Sequence, residues 1–193
     1  LRGREMASIS SNDVKSGTKL LIDKDPYHVI SVEGVKPGKG QAFNRIKIRN
    51  LKTNRVVDKT FKSGDSIELA DVQELDVSFL YDDGDTWHFM DPNYEQIEAS
   101  KEVVGENAKW LVEESTCTLL LWDGQPLFIT PENFVELTVT ECEPGVRGDT
   151  VSGAMKVAVV ETGAEVKVPL FVDRGDKLKI DTRNGEYVSR VKD

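Results

Sequence analysis

Short runs that alternate apolar and polar residues fill most of the chain. The clearest covers 43–51, where Ile46 and Ile48 point one way and Arg45, Lys47 and Arg49 the other. Residues two apart share a face of a strand, so this run predicts a half-buried strand with one basic face. Residues 19–22 lead through the turn Asp23-Lys24-Asp25-Pro26 into a second strand over 27–30. Residues 77–81, the turn Asp82-Asp83-Gly84-Asp85 and residues 86–90 make a hairpin pattern. Residues 117–122, Asp123-Gly124 and residues 126–130 make another. In the last third, strands are expected over 156–161, 165–172, 177–181 and 187–191, with Gly163, Gly175 and Asn184-Gly185 at the turns. One short helix is expected over 107–114, where Ala108, Leu111 and Val112 share a face. Residues 91–106 read as polar and irregular.

Many short strands, with turns every 8–12 residues, predict an all-β protein of small barrels or sandwiches. A chain of 193 residues accommodates three such units, with boundaries near 69 and 132. Charge follows the same division. Residues 6–69 hold 12 Lys/Arg against 7 Asp/Glu, a net of +5. Residues 70–132 hold 2 against 15, a net of −13, and residues 133–193 hold 9 against 11, a net of −2. The overall charge of −9 therefore hides a basic first third that can meet phosphate. The acidic middle is expected to face solvent or protein.

Other features remove alternatives. No apolar run approaches the roughly 20 residues of a membrane helix, so no membrane partner is expected. The first residues lack the apolar core of a signal peptide. Met6-Ala7-Ser8 reads as a natural start, with residues 1–5 as vector-derived additions. Cys117 and Cys142 lack metal-ligand spacing and are expected to be free thiols of a cytoplasmic protein. His28 and His88 each lie in a strand pattern and read as structural. The Asp82–Asp85 acids read as a hairpin turn, because their spacing misses a calcium loop. Trp87, Trp110 and Trp122 read as core residues.

The most unusual segment is Lys36-Pro37-Gly38-Lys39-Gly40-Gln41, between two strand patterns. Glycines on both sides of Lys39 remove bulk beside it, and Pro37 stiffens the approach. A phosphate-binding P-loop needs four residues between its glycines, then Lys and a hydroxyl residue opening a helix. Here three residues separate Gly34 from Gly38, Gly40 takes the hydroxyl position, and a strand follows. That leaves an exposed lysine on a basic loop, beside a strand face bearing Arg45, Lys47 and Arg49 at steps of about 6.6–6.8 Å. Lys52, Arg55, Lys59 and Lys62 follow in the same domain. These residues read either as a solvated strand face or as a surface for the RNA backbone. No catalytic constellation and no cofactor motif accompanies them.

In order along the chain, these landmarks resemble bacterial translation elongation factor P. Lys36-Pro37-Gly38-Lys39-Gly40-Gln41-Ala42-Phe43 looks like that family's lysine-bearing tip. Asn107-Ala108-Lys109-Trp110-Leu111 and Trp122-Asp123-Gly124-Gln125-Pro126 look like its middle domain. Gly148-Asp149-Thr150, residues 166–172 and residues 181–191 look like its third. The resemblance implies an SH3-like (KOW-like) N-terminal domain over 6–69 and two OB-fold domains over 70–132 and 133–193, in an L that mimics tRNA. It implies a monomeric non-enzyme that binds the 70S ribosome between the peptidyl and exit sites, beside peptidyl-tRNA, and relieves stalling at consecutive prolines. Lys39 would be extended by modifying enzymes, often with a β-lysyl group. Gly148, Asp149 and Thr150 would contact the exit-site mRNA codon. Tyr187 and Arg190 match C-terminal family positions and are grouped with Arg45, Lys47, Arg49 and Lys52 as RNA-facing residues. An elongation-factor-P-like paralog whose tip lacks lysine fits Lys39 poorly. A general RNA-binding OB-fold protein would need aromatic platforms along a continuous basic groove.

Overall fold

The computed structural model describes residues 7–145 and 153–192. Its strands form three sheets. The first contains β1 (Ser8–Ser10), β2 (Lys19–Ile22), β3 (Asp25–Val35), β4 (Phe43–Asn50), β5 (Val56–Lys62) and β6 (Ser66–Leu69), in the spatial order β1-β6-β2-β3-β4-β5. Alternation decides what each strand buries. Leu20, Ile22, Val29, Ile46, Ile48 and Ile67 turn inward and form one core with Val14. The second sheet contains β7 (Val72–Asp82), β8 (Thr86–Met90), β9 (Gln96–Ser100), β10 (Thr116–Trp122) and β11 (Gln125–Pro131), in the order β11-β10-β7-β8-β9. The third contains β12 (Phe134–Cys142), β13 (Met155–Val160), β14 (Glu165–Pro169), β15 (Lys177–Asp181) and β16 (Glu186–Val191), in the order β14-β13-β12-β15-β16. By compactness the chain divides into two units, residues 1–74 with 120–128, and residues 75–119 with 129–193. Among the described residues, no helix is long and apolar enough to cross a membrane.

The expected helix over 107–114 is displaced. Its place is taken by α1 (Lys101–Val104) and a 3₁₀ turn over Gly105–Trp110. Ser100 is the N-cap, its hydroxyl accepting from the Val103 N–H at 3.3 Å. Gly105, at φ 54°, ends the α-helical part, and Leu111 is already extended. The stretch 91–106 is therefore not irregular: it holds β9 and α1. Strand β12 also has no counterpart in the expected elements. It nonetheless carries the alternation, with Leu137 and Val139 buried, and it is the central strand of its sheet.

Trp110 leaves the sheet-two region and enters the core of sheet three. It is buried among Leu137, Val139, Ala158, Val166, Val168, Leu178 and Ile180, with Val112 packed alongside. Thr162 Oγ1 donates to the Lys109 carbonyl at 2.5 Å, fixing the chain at the point of entry. Gly185, at φ 75°, passes close to the same ring: a Cβ there would lie 3.6 Å from Trp110 Cζ2. A left-handed backbone beside a filled ring is a position suited to glycine. Trp87 is buried as expected, whereas Trp122 is half-buried with the Lys52 ammonium 4.6 Å above its ring. Cys117 and Cys142 are free thiols, and burial, then Glu132 and Asp76, push the Cys117 thiol up to about 12.

The turn after β7 is held by its own acids. Asp83 Oδ1 accepts from the N–H groups of Asp85 and Thr86, and Asp82 Oδ1 from that of Gly84. Asp83 also contacts the buried His88 at 3.2 Å, which packs face to face on Tyr81. These contacts hold the Asp83 carboxyl below the usual carboxylate range, the Thr86 N–H first among the causes.

Candidate functional site

The two longest neighbouring strands of the first sheet, β3 and β4, pair from Tyr27↔Asn50 to Val35↔Phe43. Between them runs a loop of seven residues, 36–42. Lys36, Pro37, Gly38, Lys39, Gly40 and Gln41 are all exposed. Gly40 sits at φ 111°, where an L side chain is strained. Gly38 has no such need, and a Cβ there would meet nothing within 4 Å. Neither backbone strain nor a neighbouring atom bars a side chain at this position. Neither Lys36 nor Lys39 forms an ion pair or side-chain hydrogen bond among the described residues.

Beneath the loop lies a polar network that the sequence reading did not identify. Asn44, buried opposite Gly34, donates from Nδ2 to Ser11 Oγ at 3.2 Å and to Asn12 Oδ1 at 2.9 Å. Ser11 Oγ also accepts from the Gly64 N–H and donates to the Lys62 carbonyl. Asn12 Oδ1 takes a further bond from Ser63 Oγ at 3.0 Å. The Ser63 N–H in turn donates to the Ala42 carbonyl at the loop's end. The loop therefore springs from a cross-braced base. Asn44→Ala removes two hydrogen bonds from a buried side chain, at Ser11 and Asn12, and is expected to cost about 1–3 kcal/mol in urea denaturation. Unchanged stability would show the network to be idle.

The basic face is present as expected. Arg45, Lys47 and Arg49 alternate with buried Asn44, Ile46, Ile48 and Asn50. Arg45 is 3.6 Å from Glu33, a surface pair. Lys47 and Arg49 form no ion pair among the described residues. Lys52 is engaged internally, 3.3 Å from Asp25 and over Trp122. In the third sheet, Arg190 lies over Phe171 at 5.0 Å and pairs with Asp176 at 3.6 Å. Tyr187 is half-buried and packs against the core. Gly148, Asp149 and Thr150 lie outside the described residues.

Known folds and families agree with this layout. A eukaryotic translation initiation factor 5A from Methanococcus jannaschii superposes with a TM-score of 0.54 at 21% identity, over 65% of this chain and 95% of that one. A translation initiation factor 5A family protein from Naegleria fowleri superposes with a TM-score of 0.54 at 14% identity, over 65% of this chain and 98% of that one. These likenesses establish a shared fold. Three family models then follow one another along the sequence: the elongation factor P KOW-like domain over 10–67, its OB domain over 72–129 and its C-terminal domain over 135–190. Sheets and matches together define a translation factor. More particularly, the chain belongs to the elongation factor P family.

Proposed function

We propose that this chain binds the ribosome between the peptidyl and exit sites, beside peptidyl-tRNA, and promotes peptide-bond formation at consecutive prolines. The observation that carries this reading is Lys39, an exposed cation without a partner among the described residues, at the tip of a loop with a cross-braced base on the basic sheet. A proline ring constrains the reacting amine and makes the reactants hard to align. A cation held against the tRNA acceptor end restricts their motion, which is catalysis by positioning, with the ribosome supplying the reaction site. Lys47 and Arg49 lie on the same sheet with charge to spare for RNA phosphates. Extension of Lys39, with a β-lysyl group as the first candidate, lengthens the reach without widening the tip. Gly148, Asp149 and Thr150 are assigned to the exit-site codon. The protein acts as a cytoplasmic monomer that needs no cofactor beyond the modification.

Cosedimentation tests binding. The natural protein should travel with ribosomes that carry peptidyl-tRNA, and less with those lacking it. No ribosome-bound fraction would refute the reading. Peptide mass spectrometry of the natural protein should show added mass on Lys39. An unmodified Lys39 in fully active protein would remove the modification from the account.

A further inference from the structure

The basic face of the first sheet does not end at β4. Strand pairing sets Lys19 of β2 directly opposite His28 of β3, and His28 directly opposite Arg49 of β4. All three lie on the face away from the core, because Leu20, Val29 and Ile48 beside them are fully buried. Two strand spacings make this row about 10 Å wide. It joins the Arg45–Lys47–Arg49 column at the end farther from the Lys39 loop.

The row is also organised. Lys19 Nζ donates to the Gly17 carbonyl at 3.1 Å and contacts His28 Nδ1 at 2.8 Å. An ammonium can only donate, so Nδ1 must accept. That fixes a neutral imidazole with its proton on Nε2, leaving an N–H donor between two cations. Lys19 is held in place with a third N–H to spare. The charged groups acting on His28 are Lys19 from β2, Arg49 from β4 and Glu74 from β7. Burial comes first, then Lys19 and Arg49, and together they lower its pKa below the ordinary 6.5, against the opposing pull of Glu74.

We propose that the outward row Lys19–His28–Arg49 binds the phosphate backbone of RNA, carrying the contact surface two strands beyond Arg45 and Lys47. The proposal rests on the RNA-facing reading of this domain and deepens it. A single small anion could use the row alone. A column and a row that meet at Arg49 suit a ligand whose negative charge repeats, as a nucleic-acid backbone does. His28 contributes as a neutral donor through its Nε2–H, with Nδ1 occupied by Lys19.

The test is fluorescence anisotropy of the full chain with a short RNA duplex bearing a single-stranded 3′ end, over a range of salt. Arg49→Ala and Lys19→Ala should each weaken binding about 5–10-fold and flatten the slope of log K against log salt by about 1. His28→Ala should weaken binding near pH 7.5 without changing that slope, because the lost donor carries no charge there. His28→Gln, which keeps an N–H donor and an acceptor, should retain most of the affinity, separating recognition from folding. If Arg45→Ala and Lys47→Ala weaken binding while the row variants do not, the proposal is wrong and the RNA-facing reading stands. If none of the five alanine variants weakens binding, both fall. Pyrophosphate competing as well as the RNA would also overturn it, by showing a site for isolated phosphate.

Discussion

Lys39→Ala should lower the factor's stimulation of a proline-run reporter by about 10-fold or more, because positioning effects of that size follow from losing one well-placed contact at a reaction site. Its stability should stay within about 0.5 kcal/mol of the natural protein, as expected for an exposed residue away from any packing. The side chain is exposed and forms no ion pair or hydrogen bond among the described residues, so its removal leaves the loop's own bonds in place. Gly38→Val sharpens the point. Gly38 does not occupy the left-handed region, and a Cβ there meets nothing within 4 Å. The variant should fold normally and still lose activity, because at the proposed position a wider tip would collide with a crowded reaction centre. Full reporter activity in Lys39→Ala would remove the lysine from the account, and a large fall in Tm would contradict the idle packing of the loop.

Trp110→Ala should destabilise the second unit by about 3–5 kcal/mol, the range for emptying a large aromatic site in a core. For a unit of this size that lowers its Tm by more than about 10 °C. The reason is topological. Trp110 is contributed from the sheet-two region, yet it is enclosed by β12, β13, β14 and β15 side chains of sheet three. Its loss therefore opens a cavity in the third sheet's core and unseats the Lys109–Thr162 bond that anchors the crossing segment. Amide exchange should quicken at Leu137, Ala158 and Leu178, far from residue 110 in sequence. Exchange that quickens only in residues 101–116 would show that Trp110 is a local support.

Much of the site is visible in the sequence, for local reasons. The face shared by Arg45, Lys47 and Arg49 follows from a period of two, and the Lys39 loop from glycine and proline chemistry between two strands. What joins distant residues is not visible. Asn44 reads as one polar residue in a strand, yet its partners lie 32 and 33 positions away. His28 reads as a structural histidine. Its place between Lys19 and Arg49 depends on the registers of two strand pairs. Trp110 is correctly expected in a core, but the core belongs to the following sheet. Its segment is also shifted, because the cap at Ser100 and the break at Gly105 outweigh the apolar spacing of Ala108, Leu111 and Val112. Strand β12 shows the converse: its alternation is plain in the residues and can be read without the fold.

The most direct measurement of the central claim is crosslinking from position 39. A photoreactive side chain placed there, in the full chain bound to ribosomes stalled on a proline run, should join the factor to the 3′ end of the peptidyl-tRNA. Crosslinks confined to ribosomal protein or to RNA away from that end would contradict the account.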